Sequence, residues 1–230
     1  MGAGTSLLLD LIHGTKHPRS GRMWWAGQDI TGQSVTRRAR WLGRTHQDLS
    51  LVLSWSCLDN ILLGDEDPPT GQVAYGFRLL DQIGLAAHAS DPAGCLNPGQ
   101  RRLLDIAVAV AGRPELLLLD DPAADLTDPD LRHLEALLRG LPTSTAVLLT
   151  GHDARLLDTV DWITILADGR RRASGSPADI RAMPGVRRLL DAGTSRGRPV
   201  PFSAVRRRGS SGTPDPPTRP PNTRPPTRDP

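Results

Sequence analysis

Two short apolar runs, each ending abruptly in polar residues, constrain this chain more than anything else in its 230 residues. Residues 115–119 read Glu-Leu-Leu-Leu-Leu and run straight into Asp120 and Asp121. Residues 145–149 read Thr-Ala-Val-Leu-Leu and run into Thr150, Gly151 and His152. Uninterrupted apolar runs of this length mark strands of a parallel sheet covered on both faces. Sites in open α/β sheets form at the carboxyl ends of such strands. Two carboxylates and an imidazole therefore stand where a site would form. On this pattern alone a plainer reading is equally open, in which Asp121 and Asp153 cap the following segments and His152 is a loop histidine.

Between residues 5 and 193, helix-period and strand-like segments alternate, which predicts one α/β domain. Residues 6–12 read as the first turns of a helix, and 23–26 and 40–44 as strands. Residues 102–111 are amphipathic, with Leu103, Ile106, Ala107 and Val110 on one helical face. Residues 161–166 lead through Asp168 and Gly169 into 171–173, which predicts a hairpin at the sheet edge. From about Ser203 the chain is rich in Pro, Thr and Arg, and it reads as a solvated, disordered tail.

Composition closes off several function classes. No stretch approaches the roughly 20 apolar residues of a membrane span, and no basic region followed by an apolar run opens the chain as a secretory signal would. Cys57 and Cys95 are too few for a disulfide framework, so a reducing cytoplasm fits. Of the net charge of +3, residues 194–230 supply +6 and the remainder −3. A basic tail on a slightly acidic domain, with one Tyr and two Phe in all, argues against a nucleic-acid binder.

The order of shorter motifs is more specific. Gly4, Thr5 and Ser6 precede the first helical segment, as at the end of a phosphate-binding loop of the form G-x-x-x-x-G-K-[ST]. Gly43-Arg-Thr-His-Gln-Asp48 follows, then Leu58-Asp-Asn-Ile-Leu-Leu-Gly64, Leu96-Asn-Pro-Gly-Gln-Arg-Arg102, the run ending in Asp120-Asp121-Pro122, residues 124–127, and Thr150-Gly-His-Asp153. In sequence and spacing these resemble the P-loop, glutamine loop, signature motif, Walker B strand, D-loop and switch histidine of ABC transporter ATPases. The wording around Gln47 and Asp120 is nearest that of branched-chain amino-acid importer ATPases.

The resemblance implies a P-loop NTPase-like α/β fold over residues 1–193. It would have a mostly parallel core sheet and a helical signature subdomain at about 50–112, and would lack the N-terminal strands. It implies ATP and Mg²⁺ as cofactors. Gly2, Gly4, Thr5, Ser6, Leu7, Gln47, Asn97, Gly99 and Gln100 fall at nucleotide-contacting positions, Ser6, Gln47 and Asp120 at metal positions, and Asp121 and His152 at catalytic ones. Transmembrane permease subunits and a second ATPase subunit, in a heterodimer, are the implied partners. The implied location is cytoplasmic, on the inner face of the plasma membrane.

Four positions depart from the family pattern. Thr5 stands where a Lys should face the phosphates, and the chain's single Lys, Lys16, lies beyond the helix start. A hydroxyl does not offset phosphate charge, and each charge-assisted bond lost costs about 1.5–3 kcal/mol. Asp121 replaces the Glu that polarises water; it is about 1.5 Å shorter, and misplacement on that scale costs about 100-fold in rate. Asn97 replaces the signature serine beside Pro98, and Thr127 replaces a D-loop aspartate. The first P-loop glycine would precede Met1, as would the strand feeding the loop, so the core sheet is expected to have an unpaired edge. Two functions follow: an ATP-binding transporter subunit impaired in hydrolysis, or an inactive relative that docks a permease without turning over ATP.

Overall fold

The computed structural model describes residues 4–46, 48–62, 71–151, 153–167, 169–183 and 202–206. In chain order its first elements are α1 (Thr5–His13), β1 (Trp24–Trp25), β2 (Gln28–Asp29), α2 (Val35–Arg38), β3 (Leu42–Arg44), α3 (Cys57–Leu62) and α4 (Gln72–Gln82). Then come α5 (Pro98–Ala111), β4 (Leu116–Asp120), α6 (Asp128–Gly140), β5 (Ala146–Gly151), β6 (Trp162–Ala167), β7 (Arg170–Gly175), α7 (Pro177–Ala182) and β8 (Phe202–Arg206). The strands form a small β1–β2 hairpin and a six-stranded sheet in the order β3-β4-β5-β8-β6-β7.

The two apolar runs lie side by side, β4 parallel to β5 with Asp120 opposite Thr150. Their alternate residues face opposite ways, as the pleat requires. Leu116, Leu118, Ala146 and Leu148 pack with Leu42 of β3 beneath Leu9 of α1. Leu117, Leu119, Val147 and Leu149 join the larger core with Leu103 and Ile106 of α5 and Leu134 of α6. Both faces are thus covered, which is why β4 and β5 carry only apolar residues before their carboxyl ends. Leu9 is fully buried, and burying one such side chain contributes about 1.5–3 kcal/mol toward seating α1.

Three helices start in one way. Asn97, Thr127 and Ser176 each accept the backbone N–H three residues on, and Gln100, Asp130 and Asp179 each reach back to the cap's own N–H. Such boxes satisfy two orphan donors per helix. At the other end of α1, Gly14 takes a φ of 95° and the fully buried Arg38 donates to the carbonyls of Leu11 and Ile12. A cation there complements the negative end of the helix dipole.

The 161–173 region forms the expected edge hairpin, β6 antiparallel to β7. The edge of β5, by contrast, is not left unpaired. Between β5 and β6 lies β8, antiparallel to both, with Gly151 opposite Phe202 and Ile165 opposite Phe202 on the other side. These five residues fall in the stretch whose composition reads as solvated tail. The short run Phe-Ser-Ala-Val-Arg nonetheless has strand-forming residues, and the slot offers it backbone partners on both sides.

Candidate functional site

The carboxyl edge of the parallel strands gathers one group from each neighbouring element. Asp120, the last residue of β4, is 5% exposed. Its Oδ1 accepts the hydroxyl of Thr150 on β5 at 2.8 Å and that of Ser6 on α1 at 3.4 Å. Its backbone N–H meets the Thr45 hydroxyl at 3.4 Å, just past β3. Sequence pattern identified Asp120 and Ser6. It missed Thr45 and Thr150, whose only signal is a hydroxyl residue at the carboxyl end of a strand-like run, two positions before Gln47 and His152 in sequence. Gly2, Gln47 and His152 themselves lie outside the described residues.

Gly4 is the N-cap of α1 at φ 88°, a left-handed conformation that side chains disfavour. It contributes no side-chain cap, and the first turn carries no acid. The N–H groups of that turn, which includes Thr5, Ser6 and Leu7, have no partner within a helix, and such groups suit an anion. Beside them sit a carboxylate and a hydroxyl, hard oxygen donors of the kind Mg²⁺ takes together with substrate phosphates. No cluster of three or more His, Cys, Asp or Glu that could hold a metal occurs among the described residues. The donor set of Ser6 and Asp120 is compatible with a cation shared with phosphate.

Asp121 follows in a left-handed conformation, φ 47°, rare for a residue with a side chain. Its N–H donates to the Thr150 carbonyl at 2.9 Å. Its carboxylate lies so near Gly151 that an added Cβ there would stand 3.1 Å from Oδ1. Asp121 is thereby held against Gly151 at the neighbouring strand end.

The motif at 97–100 makes its side-chain hydrogen bonds locally. Asn97 Oδ1 accepts the Gln100 N–H at 2.9 Å while Gln100 Oε1 accepts the Asn97 N–H at 3.0 Å. Pro98 occupies the first turn, where its fixed φ suits a helix start and its missing N–H removes one donor. Gly99 is hemmed in, since a Cβ would meet Asp130 Oδ2 at 2.8 Å and the Asp125 carbonyl at 3.1 Å. Thr127, the other substituted position, donates its hydroxyl to Asp130 at 2.6 Å as part of the α6 cap. Among the described residues no hydrogen bond joins 97–100 to 4–7 or to Asp120.

Residues 1–124 match the family described as ABC transporter. The chain is 34% identical over 194 residues to a probable ABC transporter ATP-binding protein of Azorhizobium caulinodans, covering 82% of this chain and 69% of that one. It is 33% identical to the sulfate/thiosulfate import ATP-binding protein of Gloeobacter violaceus, covering 80% and 54%. It is 29% identical to the high-affinity branched-chain amino acid transport ATP-binding protein of Pseudomonas aeruginosa, covering 80% and 81%. The chain thus spans little more than half of some relatives it matches. Among solved structures, an ATP-binding cassette of an ABC transporter in its ADP conformation superposes with a TM-score of 0.68 at 20% identity, covering 81% and 82%.

Proposed function

This chain belongs to the ABC transporter family, and on that footing we propose that it is an ATP-binding subunit coupling nucleotide binding to solute movement through a permease, with hydrolysis at its own P-loop impaired. The observation that carries the reading is the Ser6–Asp120 contact at 3.4 Å beside an open helix start in which Thr5 replaces the expected Lys. ATP and Mg²⁺ would be held there by the N–H groups of the first α1 turn, Ser6, Gln47 and Asp120. A bound Mg²⁺ would draw charge from the phosphates. Asp121 would orient water, aided by His152, while Thr5 would contribute a hydrogen bond but no charge.

A two-subunit arrangement would give the 97–100 motif its role. Asn97, Gly99 and Gln100 would complete the nucleotide site of a second, competent ATPase subunit rather than this one. For the permease, the natural seat is the half-exposed apolar patch of Val52, Leu53 and Trp55 beyond Gln47, with Val73 and Phe77 one turn apart on α4. No helix among the described residues is long and apolar enough to cross a membrane, so attachment to the inner membrane face would run through that permease.

The test is MgATP affinity with and without Thr5→Lys. Restoring one charge-assisted contact, about 1.5–3 kcal/mol, is expected to tighten binding roughly 10- to 100-fold. Equal affinities in the two proteins would refute the assignment of this loop as the phosphate cradle. Absence of saturable binding in both, with permease association intact, would favour the inactive docking protein. That second reading draws on Asn97 and Thr127, whose side chains serve as helix caps.

A further inference from the structure

The charge of the chain is unevenly placed. Residues 14–41 hold six Lys and Arg against a single acid, Asp29, for a net +5, while the rest of residues 1–193 carries −8. Lys16, Arg19, Arg22, Arg37 and Arg40 are exposed, and only Arg38 is buried. Lys16 pairs with Asp10. Among the described residues the other four exposed cations form no ion pair, whereas Arg139, Arg155 and Arg181 elsewhere each meet a carboxylate. A large aromatic stands among them. Ala26 at φ 46° and Gly27 at φ 80° turn the β1–β2 hairpin tightly, both with the positive φ of a type I′ turn. Alternation then sends Trp24 and Trp25 to opposite faces. Trp25 stacks on Trp41, ring centroids 5.4 Å apart and planes 7° from parallel. Trp24 is left 61% exposed, across the ladder from Asp29. That one acid accepts the Thr31 N–H at 2.9 Å, with Arg22 in electrostatic reach. Two open clefts, of about 670 and 370 Å³, adjoin through Ser34 and Arg37; the first runs to Asp29 of the hairpin, the second to Thr36 and Arg40. Gln33 lines the first, and its buried Oε1 has no hydrogen-bond partner.

We propose that this face, Trp24 with Arg22, Arg37 and Arg40, rests on an anionic lipid bilayer. Cations gain from the negative potential of such a surface, and an indole settles at headgroup level, its ring toward the acyl chains and its N–H toward water. The unpaired guanidiniums and the Ser34 and Thr36 hydroxyls of the second cleft suit a headgroup phosphate. The Gln33 acceptor of the first suits a headgroup hydroxyl. A single-stranded nucleic acid would call for a series of stacking rings, and Trp24 is the one exposed tryptophan of residues 14–41. The contact is direct, so it holds the chain to the membrane apart from any permease.

Flotation of the full chain with phosphatidylcholine vesicles, with and without phosphatidylglycerol, reads the contact at low and at physiological salt. The chain is expected to float only with phosphatidylglycerol, and less as salt rises. Residues 194–230 carry +6 of their own, so the variants separate face from tail. Arg37→Gln with Arg40→Gln is expected to weaken vesicle binding roughly 10- to 30-fold. Arg219→Gln with Arg224→Gln removes the same charge from the tail and is expected to weaken it by less than about threefold. With brominated phosphatidylcholine in the vesicles, tryptophan fluorescence of the bound chain is expected to be quenched in wild type and far less in Trp24→Ser. The substituted side chains of the face are exposed, so these variants are expected to melt with the wild type; were Trp24→Ser not to, Trp24→Gln is read in its place. No binding dependent on phosphatidylglycerol, equal loss from face and tail, or quenching that survives Trp24→Ser overturns the proposal. So does binding to polyuridylate or polyglutamate, but not to vesicles, that is lost with Arg37 and Arg40, which would give the face to a different polyanion. The vesicles hold neither nucleotide nor permease, so a failure here is distinct from a failure of the transporter reading.

Discussion

The two halves of the sheet are built on different terms. β3, β4 and β5 run parallel and stand in chain order, each strand supplying a polar group at its carboxyl end. On the other side the order is β8, β6, β7, pairing is antiparallel throughout, and the place next to β5 belongs to β8, the last strand among the described residues. Because β8 opposes both neighbours, β5 and β6 run in the same direction across it. The parallel half shows how an apolar run announces its own burial. The other half shows that a row of unpaired N–H and C=O groups recruits a strand from a segment whose surroundings read as tail.

The largest effect is expected in the parallel half. Leu118 is fully buried beneath α1, in one cluster with Leu9 and Leu42. Leu118→Ala is expected to cost about 3–5 kcal/mol, the range for a leucine whose cavity the surroundings cannot close. The measurement is the urea midpoint at unchanged m-value. A loss below about 1 kcal/mol would mean that α1 is not seated by this cluster, and the contrast between the halves would lose its first term.

The antiparallel half has its own test. Ala204 stands opposite Leu149 of β5 and Ile163 of β6. A proline there removes a ladder donor in a central strand, a position proline does not occupy in sheets. Ala204→Pro is expected to cost about 3 kcal/mol, or roughly 6–12 °C in melting temperature at 2–4 °C per kcal/mol. In a solvated tail the same change would stay within about 0.5 kcal/mol. The two outcomes are far enough apart for a single melting curve to decide whether β8 is structural.

What sequence pattern reveals follows the same division. The β4 and β5 runs, the amphipathic face of α5 and the β6–β7 hairpin were legible because each is a local pattern of apolar residues or turn chemistry. Gly4, Ser6, Asp120 and Asp121 were legible through motif order. β8 was not, since its partners lie over 30 residues away and five residues between arginine-rich and proline-rich stretches carry little signal of their own. Thr45 and Thr150 escaped for a related reason: their roles exist only once distant backbone has been brought to them. Asn60 belongs with these. From inside α3 it donates to the Val52, Trp55 and Ser56 carbonyls and accepts from the Val52 N–H, shaping the turn that presents Leu53 and Trp55.

The smallest expected effect concerns a polar link within the parallel half. Asp10 of α1 accepts Arg44 Nη2 at 2.7 Å, at the end of β3, and faces Lys16 Nζ at 3.1 Å. Burial alone would raise its carboxyl, but the hydrogen bonds from Arg44 and Lys16 outweigh that and hold it below the usual value of 3.8. A carboxyl depressed on folding stabilises the native state above its unfolded value, and that stabilisation fades as pH falls through the lower folded one. Asp10→Asn is expected to cost about 1 kcal/mol at pH 7, since the Lys16 arm is solvated and weak. The difference from wild type should shrink progressively below pH 3.8. Parallel urea titrations at pH 7 and in the acid range read both numbers. A deficit that persisted undiminished in acid would mean that Asp10 holds α1 by shape rather than by charge. The seat of α1 would then rest on the Leu9 cluster and on Arg38 rather than on the Asp10 charge.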